Sequence, residues 1–186
     1  MKKILGIGAS NSKKSINRQF ASWAISQLED MKGEVLDLND YEMPIYSKDR
    51  ENESGIPAEA KAFKSKIKSA DAIIISFAEY NGSYTSAYKN IIDWVSRVEK
   101  GIWANKPLLL LSTSPGGRGA LNVLTAAKST IPHQGAQVVG SFSLPSFNQN
   151  FDQEDGIVNE DLLNSFSDEL EKLTAVINQE NTIPIS

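Results

Sequence analysis

Two short stretches of this sequence are almost uninterruptedly apolar: Ala72-Ile73-Ile74-Ile75-Ser76-Phe77 and Leu108-Leu109-Leu110-Leu111. A strand that reads this way is covered on both faces, which happens chiefly in parallel sheets flanked by helices on either side. Both runs therefore belong at the centre of such a sheet. Three further strand-length runs fit around them, Lys3–Gly8, Glu34–Leu38 and Gln137–Leu144, with Ala72–Ala78 and Pro107–Ser112 as the central pair. Helix-length amphipathic stretches alternate with them: Ser15–Asp30, Pro57–Ser69, Thr85–Arg97, Ala120–Ile131 and Asn159–Gln179. In the first, Ile16, Phe20, Trp23, Ala24 and Leu28 share one face. Pro57 suits a first helical turn, and Thr85 can cap the third helix.

Alternating strands and helices with right-handed crossovers give an α/β, doubly wound, five-stranded parallel sheet, and the order 2-1-3-4-5 suits a chain of 186 residues. No linker or repeat divides residues 1–186, so a single domain is expected. The gap from Asn39 to Ile56 is long and polar after Tyr46, the pattern of a rim or lid.

Composition narrows the chemistry. Without Cys there is no disulfide, thiolate cluster or cysteine nucleophile, and a single His, His133, excludes a two-His metal site. His133 reads as a surface loop residue. Nineteen basic against 23 acidic residues leave a net charge of −4, the wrong sign for a nucleic-acid surface. The opening Met1–Gly8 loses its apolar character at Ser10-Asn11-Ser12-Lys13-Lys14 and shows no cleavage site, so it reads as a buried strand of a cytoplasmic protein without a membrane segment.

Ligands of doubly wound sheets bind beyond the carboxyl ends of the strands at the switch point, here between strands 1 and 3. The loops after strands 1, 3 and 4 converge there. The first, Gly8-Ala9-Ser10-Asn11-Ser12-Lys13-Lys14-Ser15-Ile16-Asn17, brings hydroxyls and ammonium groups to a helix N-terminus, a natural phosphate site. Ser12 or Ser15 acting only as a helix cap is the alternative. The loop is not a Walker A motif, since Lys13 stands where the second glycine belongs, and Asn11 replaces the third glycine of a dinucleotide fingerprint. The second loop, Glu79-Tyr80-Asn81-Gly82-Ser83, clusters hydrogen-bonding groups and an aromatic face at the strand mouth, or simply makes a tight turn. In the third, Ser112-Thr113-Ser114-Pro115-Gly116-Gly117-Arg118-Gly119, adjacent glycines let backbone approach a ligand and Arg118 adds charge; a flexible solvent loop is the alternative.

Together the loops resemble those of the NADPH-dependent FMN reductase family, flavodoxin-like enzymes that include quinone, azo-dye and chromate reductases. The most specific part is Glu79-Tyr80-Asn81-Gly82-Ser83 followed by Lys89-Asn90-Ile91-Ile92-Asp93-Trp94-Val95-Ser96-Arg97; Ser10, Ser15 and Asn17 match the family's phosphate loop, and Ser114–Gly119 its third loop. The sequence departs from the pattern at Ala9, Ser12, Ala78 and Thr85-Ser86, and the missing loop-1 arginine leaves Lys13 or Lys14 to compensate.

The resemblance implies a flavodoxin-like fold and an FMN-dependent oxidoreductase. Hydride would pass from NADPH or NADH through flavin N5 to a quinone, azo compound, free flavin or similar acceptor in a ping-pong cycle. Ser10, Ser12, Ser15, Ile16 and Asn17 would hold the ribityl phosphate. Glu79, Tyr80, Asn81 and Gly82 would meet the O4/N5 side of the ring, and Ser114, Gly116 and Gly117 the N1/O2 edge. Arg118 would contact NAD(P)H or substrate, no side chain need act as nucleophile or base, and no metal is implied. The family also implies a homodimer or homotetramer, with at least one of Tyr84, Tyr88 and Trp94 at the interface. A flavodoxin-type electron carrier is the alternative, disfavoured by Arg118 and the modest charge. Asp93 and Arg97, four apart, can pair along the helix, and Asp152-Gln153-Glu154-Asp155-Gly156 is expected to be a turn instead of a calcium loop.

Overall fold

A computed structural model describes residues 1–179. Strands β1 (Lys2–Ala9), β2 (Met31–Leu36), β3 (Ala72–Phe77), β4 (Pro107–Thr113) and β5 (Gln137–Leu144) form a five-stranded sheet in the order β2-β1-β3-β4-β5. Every neighbouring pair is parallel. The two apolar runs occupy the centre, as their composition requires, and their alternate residues face opposite ways. Ile73, Ile75, Leu108 and Leu110 enter one apolar cluster, with α3 (Ala58–Ser69), α4 (Ser86–Val98) and α5 (Leu121–Thr130) over that face. Ile74, Leu109 and Leu111 enter the other, beneath α1 (Ile16–Ser26) and the C-terminal helix Glu160–Gln179. Fully burying each such side chain contributes about 1.5–3 kcal/mol, so removing either helical layer would expose more apolar surface than the fold could tolerate. The expected residues 180–186 of the unit lie outside the described residues.

Several boundaries differ from the sequence reading. Strand β2 begins at Met31, not Glu34, because Gly33 lets the edge strand pass close to α1: a Cβ there would lie 2.3 Å from Ile25 Cγ2. Helix α1 stops at Ser26, four residues short of Asp30, which turns the chain with a left-handed φ of 58°. The polar gap contains a helix, α2 (Lys48–Ser54), capped by the Ser47 side chain on Arg50 N. It is not a loose lid. Asn90 on α4 donates to the carbonyls of Met43 and Pro44 and accepts from Tyr46 N at 2.8 Å, and Trp94 Nε1 donates to Pro44 O at 2.7 Å.

The expected Asp93–Arg97 pair is replaced by two others. Asp93 takes Lys89 at 2.7 Å, and Arg97 reaches across to Glu51 of α2 at 3.2 Å. The Glu51 carboxylate, the more shielded of the two and already held by the Tyr46 hydroxyl, attracts the guanidinium more than Asp93, which Lys89 already neutralises. Trp94 and Tyr88 are buried within this chain, while Tyr84 is partly exposed with its hydroxyl on Thr130 Oγ1. His133 is exposed in a 3-10 turn. Asp152 Oδ1 accepts from the backbone of Glu154 and Asp155, so that segment is a turn, and among the described residues no cluster of acidic or imidazole groups could hold a metal. No described helix is long and apolar enough to cross a membrane.

Candidate functional site

The register places Ala9 beside Phe77 and Phe77 beside Ser112, so β1, β3 and β4 end at one level and their three following loops rise from a common rim. Asn17 ties the three strand ends together. Its Nδ2 donates to Thr113 O at 3.1 Å, while its Oδ1 accepts from Thr113 N at 3.2 Å and from Ser76 Oγ at 2.7 Å. The side chain expected to reach a phosphate is therefore committed to β3 and β4, which leaves the backbone N–H of Asn17 as its donor at the helix start.

Loop 1 enters α1 through Ser15, whose Oγ accepts from Arg18 N. The N–H groups of Ile16 and Asn17 precede the first intrahelical bond, Gln19 N to Ser15 O, and so belong to the unpaired donors every helix start carries. Ser10 Oγ accepts from Ser12 N. Because a hydroxyl that accepts still has its proton to give, Ser10 and Ser15 each keep a donor. Gly8 lets the strand end press on the helix: a Cβ would sit 2.4 Å from Arg18 Cα. Ser12, Lys13 and Lys14 are exposed above this turn. Arg18 donates to the Lys13 carbonyl at 2.9 Å and pairs with Asp37. The Asn39 N–H, then the Asn39 amide and Arg18, hold the Asp37 carboxyl below its ordinary value against the effect of burial, so Asp37 cancels the Arg18 charge and leaves the lysines as net positive groups near the loop.

Loop 2 is a tight antiparallel hairpin, Glu79–Tyr80 paired with Ser83–Tyr84. Asn81 and Gly82 take φ of 53° and 77°, both left-handed as a type I′ turn requires. Tyr80 is 52% exposed on the rim. Glu79 turns its carboxylate to α5: Oε2 accepts from Val123 N at 2.9 Å and Oε1 from Asn122 Nδ2 at 3.2 Å. That interaction completes the α5 start, where Ala120 at the cap position offers no side-chain acceptor.

Loop 3 is braced from β5 and the turn after it. Ser146 N donates to Gly116 O and Phe147 N to Ser114 O, while Ser112 Oγ and Ser143 Oγ both donate to Gly119 O. Gly119 is fixed by necessity: φ is 57°, and a Cβ would lie 2.4 Å from Ser143 Oγ. Gly116 and Gly117 are exposed, with nothing nearer to a Cβ than a serine oxygen at 3.9 Å. Arg118 Nη2 donates to Asn122 Oδ1 at 2.8 Å. Sequence reasoning passed over Asn122, although its spacing four after Arg118 on a helix start was a readable signal.

The structure thus brings every predicted site residue to one rim, with the side chains of Asn17 and Glu79 turned into the scaffold. The donor set suits FMN. Helix-start N–H groups and two hydroxyls with free protons fit a phosphate, and at Gly82, Gly116 and Gly117 nothing comes nearer to a Cβ than 3.8 Å, so a ligand can approach the backbone there. A cleft of about 190 Å³ lies beside loop 1, between Asn11, the Asn39–Ile45 segment and the start of α4. A larger groove, about 760 Å³, lies on the other flank of α1 between Arg18, Trp23, Asp37 and Phe151, away from loops 2 and 3.

The sequence pattern of the NADPH-dependent FMN reductase family matches residues 2–149. A 2-hydroxy-1,4-benzoquinone reductase of Burkholderia sp is 35% identical over 120 residues, which is 63% of this chain and 63% of that enzyme, so the chain spans under two thirds of that relative's length. An NADPH azoreductase of Bacillus sp. (strain OY1-2) is 30% identical over 129 residues, covering 69% of this chain and 68% of that one. Among solved structures, the flavoenzyme NAD(P)H:(acceptor) oxidoreductase FerB from Paracoccus denitrificans superposes with a TM-score of 0.76 at 24% identity, covering 96% of this chain and 98% of that one, a likeness of fold. With the family pattern running from the first strand through all three loops to residue 149, this chain belongs to the NADPH-dependent FMN reductase family.

Proposed function

We propose that this chain is an FMN-dependent NAD(P)H oxidoreductase that passes electrons to a small-molecule acceptor such as a quinone, an azo compound or free flavin. The observation that carries this reading is the common rim of loops 1, 2 and 3, where a phosphate-type donor set and three uncrowded glycines stand together. Bound FMN would supply the redox chemistry, taking a hydride from NAD(P)H and giving two electrons to the acceptor, with protons balanced from solvent.

The chain's own residues bind and orient. Ser10, Ser12, Ser15 and the N–H groups of Ile16 and Asn17 would hold the phosphate. Tyr80, Asn81 and Gly82 would border one edge of the ring, and Ser114, Gly116 and Gly117 the other, where backbone N–H groups favour developing negative charge. Glu79 would serve the site by fixing α5. Arg118 would take the nucleotide. Both apolar clusters close on the same sheet, which supports one FMN-binding unit over the chain. A homodimer is supported by Ile45, 75% exposed on a segment pinned to α4, and work in the cytoplasm by the need for a nicotinamide nucleotide.

The test is anaerobic. Protein reconstituted with FMN should lose its visible flavin absorbance on adding NADPH or NADH and regain it on adding benzoquinone. Bound FMN that neither nucleotide bleaches would leave a carrier in place of an enzyme. Stronger thermal stabilisation by FAD than by FMN would remove the terminal-phosphate assignment.

A further inference from the structure

Arg118 is the only cation on loops 2 and 3, and its anchor is an amide. Asn122 Oδ1 accepts from Arg118 Nη2 at 2.8 Å, while Asn122 Nδ2 donates to Glu79 Oε1 at 3.2 Å. The amide lies between a cation and an anion, each fixing one end: a flipped amide would aim its NH₂ at the guanidinium and its oxygen at the carboxylate. Glu79, which shares Asn122 with Arg118, is consumed elsewhere, on Asn122 and on Val123 N at 2.9 Å. Arg118 has no carboxylate partner among the described residues. It is therefore oriented yet keeps its full charge, with the other N–H donors of its planar fork free for a phosphate.

We propose that Asn122 is a positioning residue for nicotinamide-nucleotide binding: it holds Arg118 at the mouth of the site as an unneutralised guanidinium that takes a phosphate of NAD(P)H. This rests on the oxidoreductase reading above. Without Asn122 the arginine is free to rotate, and its ordering is charged against nucleotide binding. With Asp in that place the arginine is still held, but neutralised, and Glu79 faces a like charge.

The experiment measures NADP⁺ binding to the FMN-loaded protein by equilibrium dialysis, alongside the NADPH dependence of turnover, for N122A, N122D, N122Q, R118A and the double variant R118A/N122A. For N122A the Kd for NADP⁺ and the KM for NADPH should rise about tenfold, the loss of one charge-assisted contact, with kcat within about twofold of wild type. N122D should lose at least as much, and N122Q should recover part of the affinity. N122A should add nothing in the R118A background, because the asparagine acts only through the arginine. The FMN affinity and thermal midpoint should stay near wild type, a result a merely structural role would not give; should N122A fold poorly, N122D and N122Q carry the comparison. With the NADH dependence of turnover measured in parallel, an equal loss for NADH and NADPH places the contact on the shared pyrophosphate, and a loss confined to NADPH places it on the 2′-phosphate. Asn122 variants that bind NADP⁺ like wild type, or an N122A effect undiminished by R118A, would overturn the proposal while wild-type turnover keeps the functional reading. A wild-type protein that neither binds nor oxidises either nucleotide would overturn both.

Discussion

Asn17 and Thr113, 96 residues apart, meet as a strand pair would: the asparagine amide donates to the threonine carbonyl at 3.1 Å and accepts from its N–H at 3.2 Å. A side chain on α1 thus fills the place of a backbone neighbour at the end of β4, where the chain must leave the sheet to form loop 3. The same oxygen takes the Ser76 hydroxyl, so the starts of all three loops share one buried polar knot.

Asn17→Ala leaves the Thr113 N–H, its carbonyl and the Ser76 hydroxyl with one partner fewer each in a buried place. At about 1–3 kcal/mol for an unsatisfied buried group, unfolding stability should fall by roughly 2–4 kcal/mol. The loosened rim should weaken FMN and riboflavin to a similar extent, since the amide points at the strands. Chemical denaturation and paired ligand titrations would check this; a loss confined to FMN, with stability intact, would put the amide on the phosphate after all.

Ser15→Ala is expected to behave differently. Its oxygen caps Arg18 N, worth about 1 kcal/mol of stability, while its proton is free to meet a phosphate. FMN binding should weaken by about 1.5–3 kcal/mol, the worth of a hydrogen bond to a charged group, and riboflavin binding should barely change. Isothermal titration with both ligands reads the difference directly. Equal losses would move the phosphate away from the start of α1.

What could be read in the sequence follows from physical range. Ala72–Phe77 and Leu108–Leu111 announce the sheet centre because full burial leaves no polar position to keep, and the three loops were legible because their glycines, hydroxyls and charges have no apolar core to serve. Helix α2 was not, since Lys48–Ser54 has no apolar stripe and buries none of its residues. Ser47, Gly55 and the distant partner of Glu51 hold it in place. The partner of Arg97 and the inward turn of Asn17 and Glu79 likewise depend on residues tens of positions away. Local spacing is blind to such partners.

Acid should reveal the Asp37–Arg18 brace beneath loop 1. The folded pKa of Asp37 lies below its ordinary 3.8, so its contribution to stability is complete above the unfolded value and is lost as pH falls through the folded one. Asp37→Asn lacks that contribution at every pH. Thermal midpoints measured from neutral pH downward should show a constant deficit for the variant until pH reaches about 4, then a gap that closes as the wild type takes up its proton. Lowered carboxylates elsewhere, Glu51 and Glu99 among them, titrate in both proteins and cancel. A gap that widens in acid would mean that Asp37 is not held low.

Loop 3 offers a contrast between glycines a few residues apart. At Gly119 a Cβ would meet Ser143 Oγ at 2.4 Å and the Leu144 backbone at 2.9 Å, with φ at 57°. Gly119→Ala combines left-handed strain with overpacking and should cost roughly 2–4 kcal/mol of stability with or without ligand. At Gly117 the nearest atom is Ser146 Oγ at 3.9 Å, so Gly117→Ala should leave the ligand-free protein as stable as wild type. If the ring lies where its N–H groups point, the new methyl occupies space the flavin needs. FMN affinity should then drop at least tenfold, and the midpoint potential should fall as the amide turns from the reduced ring. Calorimetry of the ligand-free variants separates the two glycines, and flavin titration with redox measurement locates the ring. A Gly117→Ala protein that binds and reduces flavin as the wild type does would show that loop 3 braces the fold without touching the cofactor.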